Sequence, residues 1–324
     1  MNPQADLAKL GFDVAVGHAT DEAGATGCTV VRGVNGGLRA SAHLFGRATG
    51  TREVALLEPG ASNDQVDAIL LTGGSAYGLD AAAGVMRWME ERGRGFPIGG
   101  GVVPIVPAAV VFDLAPLGRF DARPTAEMAY RACDSATTDG IAEGSVGAGA
   151  GCTVGKALGP QQAMKGGVGV GVAGLPGDHG VMAVAVAAVN AFGHVRDAGG
   201  TIIAGPRGAD GALVDTEAAI LSGSLWGGFR GGEHTSLSVV MLNAALTKSE
   251  LQQLARASTA AYHRRLGPAG TSFDGDVIFA VSPMDGRRVP LIQAEAAATA
   301  AIEQAIVRAV RSARGRDGIP GLAD

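Results

Sequence analysis

Cysteine and lysine are both scarce in this chain, and each scarcity excludes something. The 324 residues hold three cysteines, Cys28, Cys133 and Cys152, which are widely spaced and include no C-x-x-C pair. Neither a disulfide framework nor a zinc site is signalled, and the three read as small core residues in a reducing, cytoplasmic setting. Only four residues are lysine, Lys9, Lys156, Lys165 and Lys248, and the formal net charge is -5. That balance argues against nucleic acid or an anionic membrane as partner. No apolar run reaches the ~18 residues of a membrane span, and the N-terminal stretch lacks the basic region, apolar core and small-residue cleavage site of a leader. Glycine is plentiful, at 52 residues, but without a fixed period, which implies tight turns and close backbone approaches rather than collagen or a linker.

Length alone suggests two domains or one large α/β unit, and the order of elements favours one unit. Phe12 to Val16, Cys28 to Arg32 and Leu38 to Phe45 read as strands, and Asn35-Gly36 between the last two predicts a hairpin. Ala68 to Thr72 is a short apolar strand followed by a Gly73-Gly74-Ser75 turn and a helix from Leu79 to Arg92. Val102 to Leu114 contains Pro104 and Pro107, which predicts an edge or wall segment. Val168 to Asn190 alternates glycine with valine and then runs apolar. Thr247 to Glu250 is a capping box that opens a helix, Ala294 to Arg314 is an alanine-rich helix, and residues 315–324 read as a flexible tail. Strands first and last with helices between suggest layers of helix on sheet.

Two motif readings fail on their residues. Around Ser75 a nucleophile elbow would need glycine at position 77, where Tyr77 stands. Gly144 to Lys156 would need glycine at 150 and Ser or Thr at 157 to be a phosphate-binding loop, and the residues are Ala150 and Ala157, so no nucleotide is implied. The stretch Leu221 to Leu242 is more informative. Its first half carries Gly227, Gly228, Gly231 and Gly232, and its second half, from Thr235, is a β-branched, apolar run. A hydroxyl residue thus stands where a glycine loop meets a strand, a place suited to attack on the preceding His234–Thr235 peptide bond as well as to simple strand initiation. Asp274-Gly275-Asp276 precedes another strand. If the backbone there is extended, both carboxylates can point the same way, and one can raise the pKa of the other; a turn is the alternative. Val277, Ile278 and Phe279 offer no side-chain oxygen to a calcium ion, so no metal is expected.

The runs VGHATDEAGATGCTVV, DAILLTGGSAYGLDAAAGVMRWMEERG, VPIVPAAVVFDL, SVGAGAGCTVGK, VNAFG, HTSLSVVMLNAALTK and FDGDVIFA, in order from Val16 to Ala280, resemble those of the DmpA-type aminopeptidase and nylon-oligomer hydrolase family. The resemblance implies a single αββα sandwich, similar to ornithine acetyltransferase, with helices on both sides of two stacked sheets. It also implies self-cleavage into residues 1–234 and 235–324, assembly as a homotetramer, and no cofactor. By match, Thr235 would be the nucleophile and Asp274 and Asp276 the carboxylates beside it. Lys156 would assist self-cleavage and Asn190 would hold the oxyanion. Phe112, Ser75 and Tyr77 are candidate substrate contacts. His234 stands where the nylon-oligomer branch has asparagine, and Phe112 where some relatives have tyrosine.

The expected activity is that of an N-terminal-nucleophile amidohydrolase on small peptides or amide oligomers. Thr235 Oγ1 attacks its preceding carbonyl, water releases the upstream chain, and the freed α-amine, with a pKa of ~8, serves as general base. An acyltransferase would use the same parts. An unprocessed ligand-binding homologue would not be cut.

Overall fold

The computed structural model describes residues 6–175, 178–225, 227–228 and 233–324. Gly231 and Gly232 of the glycine-rich stretch lie outside the described residues, as do Trp226, Phe229 and Arg230. The strands that organise the molecule are Val14–Asp21 (β1), Thr26–Gly33 (β2), Leu38–Leu44 (β3), Ala68–Thr72 (β4), Ala108–Val110 (β5), Gly167–Leu175 (β6), Asp178–Val189 (β7), Leu237–Leu242 (β8) and Val277–Ser282 (β9). The helices are Ala82–Glu90 (α1), Ala126–Asp134 (α2), Thr216–Leu221 (α3), Lys248–Ala257 (α4), Thr259–Arg265 (α5) and Leu291–Arg311 (α6).

Two sheets stack face to face. One runs β1-β2-β4-β5, closed by the two-residue edge strand Thr51–Arg52; the other runs β6-β7-β8-β9-β3, closed by Gln65–Val66. An apolar layer of Val16, Val31, Leu71, Val186, Val239 and Phe279, among others, fills the space between them. The outer face of the first sheet is covered by α1 and α2 through Val85, Trp88, Met128 and Cys133. The outer face of the second is covered by α4, α5 and α6 through Leu251, Tyr262, Ile302 and Ile306. This is the αββα sandwich expected. The central strands of the second sheet are buried on both faces, which is why Val181 to Val189 reads as a continuous apolar run instead of alternating with polar residues. The glycines of β6 have a separate cause. A Cβ at Gly169 or Gly171 would lie 2.1 or 1.9 Å from the carbonyl of Ala305 or Ala301, so their absence of side chain lets the alanine-rich face of α6 rest on the sheet backbone.

Several expectations are corrected. Asn35-Gly36 does not close a hairpin. Both edges of β2 are already paired, with β1 and β4, and β3 belongs to the other sheet between β9 and Gln65–Val66. The turn is a crossover between sheets, fixed by Asn35 Nδ2 donating to Asp13 at 2.6 Å and by Arg94 donating to the carbonyls of Gly33 and Gly36, each at 2.9 Å. The proline-bearing segment is not an edge: β5 pairs with β4 on one side and with Thr51–Arg52 on the other. Pro104 and Pro107 fall before its three paired residues, so no ladder donor is lost. The predicted helix after Gly74 begins as a 3-10 turn over Ser75–Ala81 before α1. Residues 315–324 are tied down. Lys165 N donates to Pro320 O at 2.8 Å, Ala323 N to Ala313 O at 3.1 Å, and Ile319 is buried. The capping box is present at Thr247 and Glu250. No helix among the described residues is long and apolar enough to cross a membrane.

Candidate active site

The site follows from one register. β8 and β9 pair in parallel, with Leu237 opposite Val277, and the pairing extends back to a bridge between His234 and Asp274. Parallel neighbours need a long crossover, here supplied by α4 and α5. As a result the residues entering both strands lie side by side, and Thr235 comes against Gly275 between the two aspartates. A Cβ at Gly275 would lie 2.6 Å from Thr235 Oγ1, so the D-G-D spacing leaves room for the hydroxyl. Thr235 is only 3% exposed.

Both carboxyls are buried and held by donors. Asp276 accepts from Ser236 N at 2.7 Å and Gly270 N at 3.1 Å, and Asp274 accepts from Thr271 N at 2.8 Å and Thr271 Oγ1 at 2.6 Å. Burial pushes the pKa of each upward, and for Asp276 the charge of Asp274 adds to it. Such a pair retains a proton at a pH where isolated carboxyls would both be ionised.

Near the nitrogen of the His234–Thr235 bond stands an amine. Gly155, at φ +74, turns the chain where a Cβ would strike Gly205 and Pro206, and thereby brings Lys156 inward. Lys156 N donates to Phe192 O at 3.0 Å, joining this turn to the segment that follows β7. Lys156 Nζ donates to Asn190 Oδ1 at 3.0 Å, Asn190 O at 3.1 Å and Thr153 O at 2.9 Å. Desolvation lowers its pKa to about 7. Asn190 O also accepts from Thr235 N at 3.2 Å, so the lysine and the nitrogen of the His234–Thr235 bond share one carbonyl oxygen. The Asn190 side chain is oriented by Thr153 N, which donates to Oδ1 at 3.0 Å, and by its own Nδ2, which donates to Phe112 O at 2.9 Å. Burial holds the His234 imidazole neutral, with its pKa lowered to about 2, and its ring lies 5.0 Å from that of Phe192.

A cavity of about 120 Å³ opens beside these groups, lined by Phe112, Ala115, Pro116, Lys156, Pro160, Glu233 and His234. Phe112 is thus brought to the site. Ser75 and Tyr77 do not line this cavity. Ser75 takes φ +52 and donates its N–H to Val111 O, and Tyr77 is half exposed, with Arg123 3.5 Å over its ring. Three site residues were not picked out from the sequence. Thr153 and Thr271 orient Asn190, Lys156 and Asp274, and hydroxyls in glycine-rich runs gave no signal of that. Asp113 was a buried carboxylate at the end of an apolar run, which is a readable signal. It accepts from Thr26 Oγ1 and Gly74 N, each at 2.7 Å, fixing the segment that carries Phe112, and burial raises its pKa to about 6.

His194, Asp215 and Glu217 bring donor atoms within 4.8 Å of one another. Their lone pairs are engaged: His194 Nδ1 accepts from Thr216 N at 3.0 Å, and Arg196 Nη2 binds Asp215 at 3.3 Å and Glu217 at 2.8 Å. The cation of this group is the guanidinium.

Two stacked sheets between helical layers, with a hydroxyl residue at the mouth of a central strand, form the sandwich of the N-terminal-nucleophile hydrolases, in which a chain cuts itself and the freed residue becomes the nucleophile. The chain belongs to peptidase family S58, which it matches over residues 12–322. It is 42% identical over 244 residues to an uncharacterized aminopeptidase of Mycobacterium tuberculosis, covering 73% of this chain and 67% of the relative. It is 30% identical over 286 residues to the 6-aminohexanoate-oligomer endohydrolase of a Kocuria species, covering 84% and 74%. The chain therefore spans about two thirds of the length of the mycobacterial relative. Its fold matches a Burkholderia β-aminopeptidase with TM-score 0.69 at 18% identity, over 99% of this chain and 92% of that one. It also matches the L-aminopeptidase D-Ala-esterase/amidase of Ochrobactrum anthropi with TM-score 0.67 at 18% identity, over 97% and 93%. The protein is accordingly a self-processing hydrolase of peptide or linear amide bonds.

Proposed function

We propose that the chain cleaves its own His234–Thr235 bond and then uses Thr235 as the N-terminal nucleophile on amide bonds of small peptides or amide oligomers. The observation that carries this reading is the parallel register that sets Thr235 Oγ1 against Gly275, with a buried carboxyl on either side and a lysine of lowered pKa near the nitrogen of the bond. Lys156, as free amine, accepts the hydroxyl proton and returns it to the departing nitrogen. Water then hydrolyses the resulting ester. In turnover the freed α-amine, with its ordinary pKa of ~8, takes over as base. Asp276, Asp274 and their donors orient it, and Asn190 Nδ2 stabilises the tetrahedral oxygen, a contribution of about 3 kcal/mol for donors of this kind.

The cavity at Phe112 has an apolar wall of Phe112, Ala115, Pro116 and Pro160, which suits a short aliphatic acyl segment, facing the polar Lys156, Glu233 and His234. The three free, buried cysteines fit a cytoplasmic location, and the family resemblance supports assembly as a homotetramer, to be checked by light scattering. The direct test is Thr235→Ala. The variant is expected to remain a single chain and to hydrolyse no amide substrate, as read by intact mass and product release. Cleavage of the variant at the same bond would remove Thr235 from the role.

A further inference from the structure

We propose that the backbone N–H of Gly275 is the oxyanion donor for self-cleavage. This rests on cleavage at His234–Thr235. In the uncut chain Gly275 N lies 2.7 Å from His234 O, the carbonyl oxygen on which charge develops when Thr235 Oγ1 attacks. Asn190 Nδ2, by contrast, donates to Phe112 O.

The donor is fixed and polarised before the reaction. The peptide unit that ends in Gly275 N–H begins with the carbonyl of Asp274, and that carbonyl accepts two hydrogen bonds, from Arg47 N at 2.7 Å and Ala48 N at 3.0 Å. Electron density drawn toward Asp274 O makes the N–H of the same unit a stronger donor. The Asp276–Val277 peptide unit, two further on, is held in the same way, with Phe45 N and Gly46 N both donating to Asp276 O at 3.2 Å. The segment 45–48 thus braces the donor from the side away from the bond to be cut. Glycine is required at 275 on both faces: a Cβ would lie 2.5 Å from Ala48 O and 2.6 Å from Thr235 Oγ1.

The step balances without a co-reactant other than water. Thr235 Oγ1 bonds to the His234 carbonyl carbon, whose π electrons move to the oxygen facing Gly275 N–H. Collapse of this intermediate breaks the C–N bond, and the nitrogen receives the hydroxyl proton. Hydrolysis of the ester leaves a His234 carboxylate and restores the Thr235 hydroxyl.

The test replaces single backbone N–H groups by ester oxygen in the full-length chain, using the α-hydroxy analogues of Gly275, of Arg47 and, as an exposed control, of Gly286. Self-cleavage is followed by intact mass. The Gly275 ester is expected to cleave ~10²–10³-fold more slowly than the Gly286 ester, as for loss of an oxyanion donor. The Arg47 ester, with one brace removed, should be slowed severalfold. Cleavage of the Gly275 ester at the control rate overturns the proposal. If that chain lacks a cooperative melt, the Arg47 ester decides, and a control rate there overturns it. Should Thr235→Ala be cut at the same bond, the reading of Thr235 as the self-cleaving residue fails, whatever the esters do.

Discussion

Two of the four lysines are buried within the same glycine-rich region, and they differ in what surrounds them. Lys165 Nζ donates to the carbonyls of Gly149, Cys152 and Gly166, at 3.2, 2.9 and 3.2 Å, all backbone oxygens that belong to the fold itself. Lys156 Nζ donates to Thr153 and to both oxygens of Asn190, one of which is bonded to the nitrogen of the His234–Thr235 bond, and it lines an open cavity. Burial lowers both pKa values, to about 8 for Lys165 and about 7 for Lys156. Desolvation is therefore shared, and it does not by itself make a catalytic group. What differs is that Lys156 shares the carbonyl oxygen of Asn190 with the nitrogen of the bond proposed to be cut.

The largest expected effect on this contrast is Lys156→Met, which should slow self-cleavage by ~10²–10⁴-fold, the range for loss of a general acid–base group, while the chain stays folded. Rate is measured by gel or intact mass after rapid purification. Next comes pH. Below about 7 Lys156 is an ammonium and cannot accept the Thr235 proton, and above it the amine is free. Self-cleavage should therefore rise about tenfold from pH 5.5 to 6.5 and level off above about 7, with a flat profile in Lys156→Met. His234, neutral down to about pH 2, should add no step of its own. The smallest effect on processing is expected from Lys165→Met. It should lower unfolding stability by about 1–3 kcal/mol, because three buried carbonyls lose their donor, with the cleavage rate of folded molecules unchanged. A loss of cleavage in Lys165→Met equal to that in Lys156→Met would break the comparison.

What the sequence made legible was local. The glycine and valine of β6, the capping box at Thr247, the alanine face of α6 and the hydroxyl at the loop-to-strand junction all follow from neighbours within a few residues. The pairing of β8 with β9 is a contact across about forty residues, and no local pattern specifies its parallel register. Hence D-G-D could be read from spacing only as a turn or a carboxylate pair, and family resemblance alone set it beside Thr235. The Asn35-Gly36 turn misled because its residues suit a hairpin, whereas β3 pairs in the other sheet with β9 and Gln65–Val66, partners distant in sequence that no turn residue specifies. The C-terminal segment misled for a related reason: its composition is that of a tail, but Pro320 and Ile319 have partners near Lys165 and Gly315.

The most direct check on the whole account is the N-terminal sequence and intact mass of the smaller chain in purified wild-type protein. The account predicts a chain that begins Thr235-Ser236-Leu237 and carries a free α-amine, together with a partner that ends at His234. A single uncut chain after prolonged incubation at pH 8, or a cut at any other bond, would contradict it.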